Sequence, residues 1–278
     1  MTNREYATPF SVLHAASLLS HRGRLRKFKE AIEGVVRPDD YVIDIGTGTG
    51  VLAIIAAKAG ARVTAIDINK ESLVYAQKAA QLNGVQDRID FVNSHYSVFI
   101  PTELADVVIC EMLSSLMLIE QQIPASTYAV SRLLKPTGHI IPERVNLFVV
   151  PVENETQWIR FNVEDLTFPR VIQTTDRIES RDLANLIELV SFNLTELNPD
   201  AFVDRILQFE IVENGTLHGL CGMFDCILNR QITLQMEDGW REVFLPLEES
   251  HEVKAGDSIR LHLRFRPGEY DSLLLKIL

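Results

Sequence analysis

The sequence predicts a mixed α/β protein in two halves, a mostly parallel sheet with covering helices followed by an antiparallel, barrel-like sheet. Two observations carry this expectation. From Tyr41 to about Pro142, short β-branched runs alternate with longer helical ones, the pattern of βαβ units. Beyond Pro142 the helical period nearly disappears, and apolar residues alternate with polar ones as in strands with one buried and one wet face. The 278 residues are 46% hydrophobic and 23% charged, a globular composition that excludes disorder, collagen and a disulfide scaffold.

The elements follow in order. Residues 11–36 place Leu18, Leu19, Leu25, Phe28 and Ile32 at helical spacing among Arg22, Arg24, Arg26, Lys27 and Lys29, an amphipathic helical lead-in. The strands YVIDIG and RVTAID are followed by the helices VLAIIAAKAG and KESLVYAQKAAQLNG. Then come the strands IDFVNS and ADVVICE, a helix through about Leu134, and the strand HIIPE. Gly60 and Gly84 sit just past two helices, where a left-handed cap is needed. In the second half VNLFVVPVE, RILQFEIV, QITLQM and SIRLHLRFRP read as strands, interrupted by a helix around SRDLANLIELV with Ser180 as its N-cap. Three units are expected: a helical cap over 1–36, the parallel sheet over 37–142 and the barrel-like part over 143–278.

Charge and composition exclude several functions. No apolar stretch reaches the roughly 18 residues needed to cross a bilayer, so no membrane span is expected. MTNREYATPF has neither the basic start nor the apolar run of a signal peptide, and three scattered cysteines (Cys110, Cys221, Cys226) fit a reducing cytoplasm. With 38 acidic against 27 basic residues the net charge is −11, which repels nucleic acid and attracts a cationic partner. Cys221 and Cys226, near His218, lack a second ligand pair at zinc spacing, so buried thiols rather than a metal site are expected.

The first strand ends in DIGTGTG, giving Asp44, Gly46, Gly48 and Gly50. Glycines here let a backbone turn approach a ligand closely, and the following helix offers free amides at its N-terminus. A dinucleotide enzyme would read G-x-G-x-x-G, whereas this loop reads G-x-G-x-G after an acidic residue. The pattern resembles motif I of class I S-adenosylmethionine (SAM) methyltransferases, which implies a SAM-binding Rossmann-like domain with S-adenosylhomocysteine as product. Asp67, at the end of the second strand, is placed to accept both ribose hydroxyls, a spacing shared with NAD folds. Ser94 and His95, after the third strand, should border the adenine edge.

The fourth strand ends in CEMLSSLMLIE, placing Glu111 at the carboxyl edge of the sheet with Glu120 nine residues later. A glutamate pair at this spacing resembles the double-E loop of protein arginine methyltransferases. KPTGHIIPERV resembles the passage from that family's Rossmann domain to its β-barrel, and RLRKFKEAI its R-T-x-x-Y-R-x-A-I helix. EDGWREVFLPLEE resembles its T-H-W loop. The resemblance spans roughly residues 18–275. It implies that Arg24 holds the SAM carboxylate, that Glu111 and Glu120 grip a cationic acceptor, that Trp240 lies at the substrate mouth, and that the protein is a homodimer. Physics gives the pair a purpose: guanidinium is protonated at any working pH, with a pKa above about 12, and its delocalised lone pairs are poor nucleophiles. Two carboxylates can fix one terminal nitrogen and draw charge from it. At a reference pKa of about 4.3 both are expected ionised without special tuning.

The sequence also departs from the family. Gly239 stands where the arginine enzymes have histidine, and His21 stands where they have the acidic partner of that histidine. Leu113 and the residues Leu116 to Ile119 replace the aromatic residues of the double-E loop, and Tyr6 and Phe10 lie where a paired-aromatic motif is expected. The stretch from Glu153 to Asp200 is short for the family's dimerisation arm. Two alternatives to arginine therefore stay open: another nitrogen or oxygen acceptor, from a small molecule or a macromolecule, and a catalytically silent SAM-binding interaction protein.

Overall fold

The computed structural model describes residues 11–278; Tyr6 and Phe10 lie outside the described residues. The lead-in is two helices rather than one. Helix α1 (Val12–Ser17) runs into a 3-10 turn, Leu18–Ser20, and α2 (Arg22–Val35) begins after a break at His21, whose φ of −78° and ψ of 73° are not helical. The break is tertiary in origin, because the His21 ring packs on Gly239 of the antiparallel half. The apolar face of α2 is anchored by Phe28, Ala31 and Ile32, all fully buried. A buried phenylalanine or isoleucine of this kind stabilises by about 1.5–3 kcal/mol, which fixes the register of the helix and of Arg24 on it.

The central sheet consists of β1 (Tyr41–Ile45), β2 (Arg62–Asp67), β3 (Ile89–Asn93), β4 (Ala105–Cys110) and β5 (Leu134–Ile141). All neighbours are parallel, in the order β3-β2-β1-β4-β5. Helices α3 (Val51–Lys58), α4 (Lys70–Leu82) and α5 (Gln122–Tyr128) make the crossovers, and a π-helical turn over Ala129–Leu133 extends α5 to the start of β5. Every residue of β1 is buried, as expected for a strand covered on both faces. The strand order reverses between β1 and β4, and that switch point opens a crevice at the carboxyl ends of the two strands.

The chain then enters β6 (Arg144–Glu153), α6 (Glu155–Ile159), the short hairpin β7 (Asn162–Val163) and β8 (Leu166–Thr167), and β9 (Gln173–Thr175). The helix expected at SRDLANLIELV is absent. Residues there form β10 (Arg181–Asp182) and β11 (Ile187–Asn193), both antiparallel to β6. Ser180 caps no helix, and its hydroxyl accepts from the Asn154 amide at 2.9 Å. A short apolar run reads equally as helix or strand, and the free edge beside β6 decided the matter.

The remaining strands are β12 (Val203–Glu210), β13 (Gly215–Asn229), β14 (Ile232–Leu234), β15 (Glu242–Val253), β16 (Ser258–Arg266) and β17 (Glu269–Ile277). A seven-stranded sheet ordered β10-β6-β13-β15-β9, with β11 and β14 attached, curls as a half-barrel beside the three-stranded sheet β12-β16-β17. The QITLQM strand is shorter than expected, since Met236–Asp238 form a 3-10 turn leading to Trp240. One apolar core runs through both halves, joining Phe28 and Ile109 to Phe224 and Phe265.

Candidate active site

The crevice at the switch point is a cavity of about 660 Å³, within the range of small-molecule sites. At its first end the Gly46–Gly50 turn leaves β1. Gly46 and Thr47 donate their amides to the Ile66 carbonyl at 2.9 and 3.0 Å, tying the turn to β2. Gly48 adopts a φ of 53° and donates to Asp67 Oδ2 at 2.8 Å, while Asn69 donates to Oδ1 at 2.7 Å. Asp67 is thus the clasp of the turn as well as a wall of the cavity. Gly50 belongs to a different task. It does not line the cavity, and a Cβ there would come within 2.8 Å of the Ala76 Cβ, so it lets α3 and α4 pack closely.

Asp44 is buried and accepts from the Thr47 hydroxyl at 2.6 Å. Burial pushes its carboxyl up to about 7, with the charges of Asp67 and Glu111 adding to the effect. Ser94 and His95 both line the cavity. His95 Nδ1 meets the Ser97 hydroxyl at 2.7 Å and its ring lies 4.3 Å from that of Tyr96. Burial lowers the His95 pKa, which favours a neutral, positioning imidazole over a charged one.

The second end is the loop from Glu111 to Glu120, and the structure brings both glutamates to the same cavity as Arg24, Asp67 and Trp240. Arg24 Nη2 is bonded directly to Glu111 Oε2, and its guanidinium carbon lies 4.6 Å from the centre of the Trp240 ring. Trp240 Nε1 donates to the Leu113 carbonyl at 3.0 Å. The sequence assigns Arg24 to the cofactor and Glu111 to the acceptor, whereas the structure joins the two. Burial raises the Glu111 pKa, opposed by Arg24. For Glu120, burial followed by the Glu111 charge pushes the carboxyl up to about 8, corrected only partly by Arg24. Ionised glutamates are expected only without strong desolvation, and here desolvation makes the neutral form of Glu120 the favoured one at neutral pH.

The loop between them is held in a demanding conformation. Leu116 and Met117 have φ values of 56° and 52°, and both are fully buried. Left-handed non-glycine residues cost on the order of 1–3 kcal/mol each and persist only where the surroundings over-determine them. Here Leu116 fills a notch above Gly222 of β13, which a Cβ at that position would occupy. Met117 donates to the Ser114 carbonyl at 2.7 Å and accepts from the Gly268 amide at 2.8 Å. Ser114 Oγ accepts from the Glu120 amide at 3.1 Å, and Ser115 donates to the Arg241 carbonyl. Gln122, fully buried, accepts from the Met112 amide at 2.8 Å. Thr47, Ser114 and Gln122 were not legible as site residues, because each works through hydrogen bonds to its neighbours in the folded loops rather than through a charge or motif of its own.

The two departures from the arginine enzymes touch one another. Gly239 has a φ of 135°, and a Cβ there would overlap His21 Nδ1. The imidazole thus fills the space of a side chain at 239, and His21 Nδ1 is buried without a hydrogen-bond partner. Lys27 pairs with Asp238 at 2.7 Å, so α2 is latched to this loop through three successive residues, 238 to 240.

Comparison with known proteins shows what the chain is similar to. Residues 29–163 match the family model described as ribosomal protein L11 methyltransferase (PrmA). An uncharacterized protein of Methanocaldococcus jannaschii is 38% identical over 151 residues, covering 54% of this chain and 58% of that protein. Protein arginine N-methyltransferase 6 of Danio rerio is 33% identical over 136 residues, covering 49% of this chain and 37% of its own. The Trypanosoma brucei PRMT1 enzyme-prozyme heterotetrameric complex with AdoHcy superposes with a TM-score of 0.76 at 23% identity, covering 92% of this chain and 90% of that one. The chain is thus similar to class I SAM methyltransferases, the protein arginine methyltransferases among them. The matched segments span about half the length of these curated relatives or less.

The site fits the SAM cofactor that the resemblance implies. Gly46 and Gly48, both left-handed, remove two Cβ atoms from the turn where, together with Thr47 and Thr49, it lines the cavity, and Asp67 and Ser94 bring polar groups to the same cavity. Arg24 is the buried cation available to a carboxylate. Among the described residues, no helix is long and apolar enough to cross a membrane.

Proposed function

We propose that the protein methylates a cationic nitrogen acceptor, with arginine in a protein as the leading acceptor. One observation supports this above the others: two partly buried glutamates meet at one cavity, and among the described residues Glu120 has no ion-pair partner. Bound SAM supplies an electrophilic methyl group on a sulfonium. Arg24, Asp44, Gly46, Gly48, Asp67, Ser94 and His95 bind and orient that cofactor, and Gly50 packs the turn that carries them. Glu111 and Glu120 hold the acceptor by charge-assisted hydrogen bonds and aim one nitrogen. Burial, and after it the Glu111 charge, favours the neutral form of Glu120, whereas a guanidinium entering beside it favours the charged form, so binding a cation and ionising the clamp are the same event. Trp240 and Ile119 wall the mouth.

In this reading residues 1–36 cap the site, 37–142 hold the cofactor and 143–278 hold the substrate. A second reading, another nitrogen acceptor, is favoured by Gly239 and His21, which change the wall beside Trp240. Incubating the protein with radiolabelled SAM and native extract, then separating protein, nucleic acid and small molecules, tests both. Label on protein arginine is expected. Label on another acceptor favours the second reading, and cofactor binding without label favours a silent binding protein.

We further propose a homodimer. Val163, Leu166, Phe168 and Val171 are each about half exposed on the β7–β8 excursion, an apolar surface that a second copy would cover. Sedimentation at micromolar concentration should give twice the 31.4 kDa chain mass; a clean single-chain species would overturn the proposal. The thiols of Cys110, Cys221 and Cys226 are free and buried, which supports a reducing compartment such as the cytoplasm.

A further inference from the structure

Arg24 is the one buried arginine or lysine among the described residues, and it stands in a cavity lined by four carboxylates, those of Asp44, Asp67, Glu111 and Glu120. Two of the four are satisfied locally: the Thr47 hydroxyl serves Asp44, and the Gly48 and Asn69 amides serve Asp67. The Arg24 guanidinium is bonded to Glu111 and lies over the face of Trp240. It therefore sits on the acceptor clamp in the way an acceptor guanidinium would, with a carboxylate at its edge and an aromatic ring at its face.

We infer that Arg24 is shared between Glu111 and the carboxylate of the cofactor, so that the cofactor draws it from Glu111 and frees that carboxylate for the acceptor. The inference rests on the methyltransferase reading above and adds a coupling between cofactor and acceptor to it. An arginine on a helix anchored by Phe28, Ala31 and Ile32 has a short range of travel, so full engagement with one anion weakens its hold on the other. A buried carboxylate stripped of its partner is costly until another cation arrives, and this favours acceptor binding at that moment. Arg24 is in this sense a positioning residue for Glu111, and cofactor and acceptor binding favour one another. The latch of α2 onto residues 238–240 carries any shift of Arg24 to Trp240, and through its bond to the Leu113 carbonyl to the glutamate loop.

The test is calorimetric titration of the parent, Glu111→Gln and Glu111→Asp with S-adenosylhomocysteine and with 5′-methylthioadenosine, which lacks the amino-acid carboxylate. With its competitor neutralised, Arg24 should hold S-adenosylhomocysteine more tightly in Glu111→Gln, by a factor on the order of 5 to 150, the usual range for coupled sites. Glu111→Asp, one methylene shorter, should shift the same way by less, and it carries the test if the Gln variant does not fold. Affinity for 5′-methylthioadenosine should stay the same in all three. Unchanged or weaker S-adenosylhomocysteine binding in the variants would overturn the inference and leave the function standing. Failure of the parent to bind S-adenosylhomocysteine would overturn both.

Discussion

The turn at Gly46–Gly50 and the loop at Glu111–Glu120 face each other across one cavity but are held by different means. The turn is tied to the next strand, by bonds to Ile66 and to Asp67 only 19 residues from Gly48. The loop is tied to the far half of the chain: Ser115 to Arg241, 126 residues away, and Leu113 to Trp240, 127 residues away. The turn is also relaxed, since its left-handed residues are glycines, whereas the loop forces Leu116 and Met117 into that region. The cofactor end is thus a local device that any parallel sheet of this kind can carry. The proposed acceptor end exists only where the antiparallel half presses Gly222 and Gly268 against it, so remote residues can reshape it.

If the strained loop does the chemistry, the largest effect should come from its glutamates. Replacing Glu111 or Glu120 by Gln keeps shape and hydrogen bonding but removes a charge from a nearly dry site. Single-turnover methyl transfer should fall by about 2–4 kcal/mol, some 30- to 1,000-fold. Parental rates in both variants would reduce the loop to a surface feature and break the comparison. On the opposite side, Asp67→Ala should weaken SAM binding by about 1.5–3 kcal/mol, because the carboxylate is lost both to the ligand and to the Gly48 amide. Unchanged affinity by calorimetry would mean that the turn needs no clasp.

Gly222→Ala sharpens the contrast, since it touches the loop from the antiparallel half alone. A methyl group there overlaps Leu116, an overpacking expected to cost about 1–3 kcal/mol in urea unfolding. Transfer should suffer more than SAM affinity; equal losses would mean that the two ends are not independently held. The smallest effect is one of pH. If Glu120 serves as a carboxylate, its pKa, raised by burial to about 8, means that a proton is lost as the cation binds. Transfer at low acceptor concentration should rise with pH to a plateau above 8, by about tenfold per unit on the acid side. The limb should vanish in Glu120→Gln, and a limb that survives unchanged there would belong to another group, such as Asp44 near 7.

The sequence by itself determined the elements whose causes are local. The parallel half follows from β-branched runs alternating with helices, and the cofactor turn from glycines between a strand and a helix, because backbone freedom and burial periodicity are written in neighbouring residues. It also placed Glu111 at a strand end and Glu120 nine residues on. What it could not contain was where β10 and β11 would pair, since a short apolar run near 181–193 has no preference until β6 offers an edge. Nor did it contain the pairing of Arg24 with Glu111, the fit of His21 into the space over Gly239, or the desolvation that lifts Glu120. Those depend on which side chains from distant segments share one low-dielectric cavity. Only the tertiary structure decides that, because contact and burial are properties of the folded arrangement and not of sequence spacing.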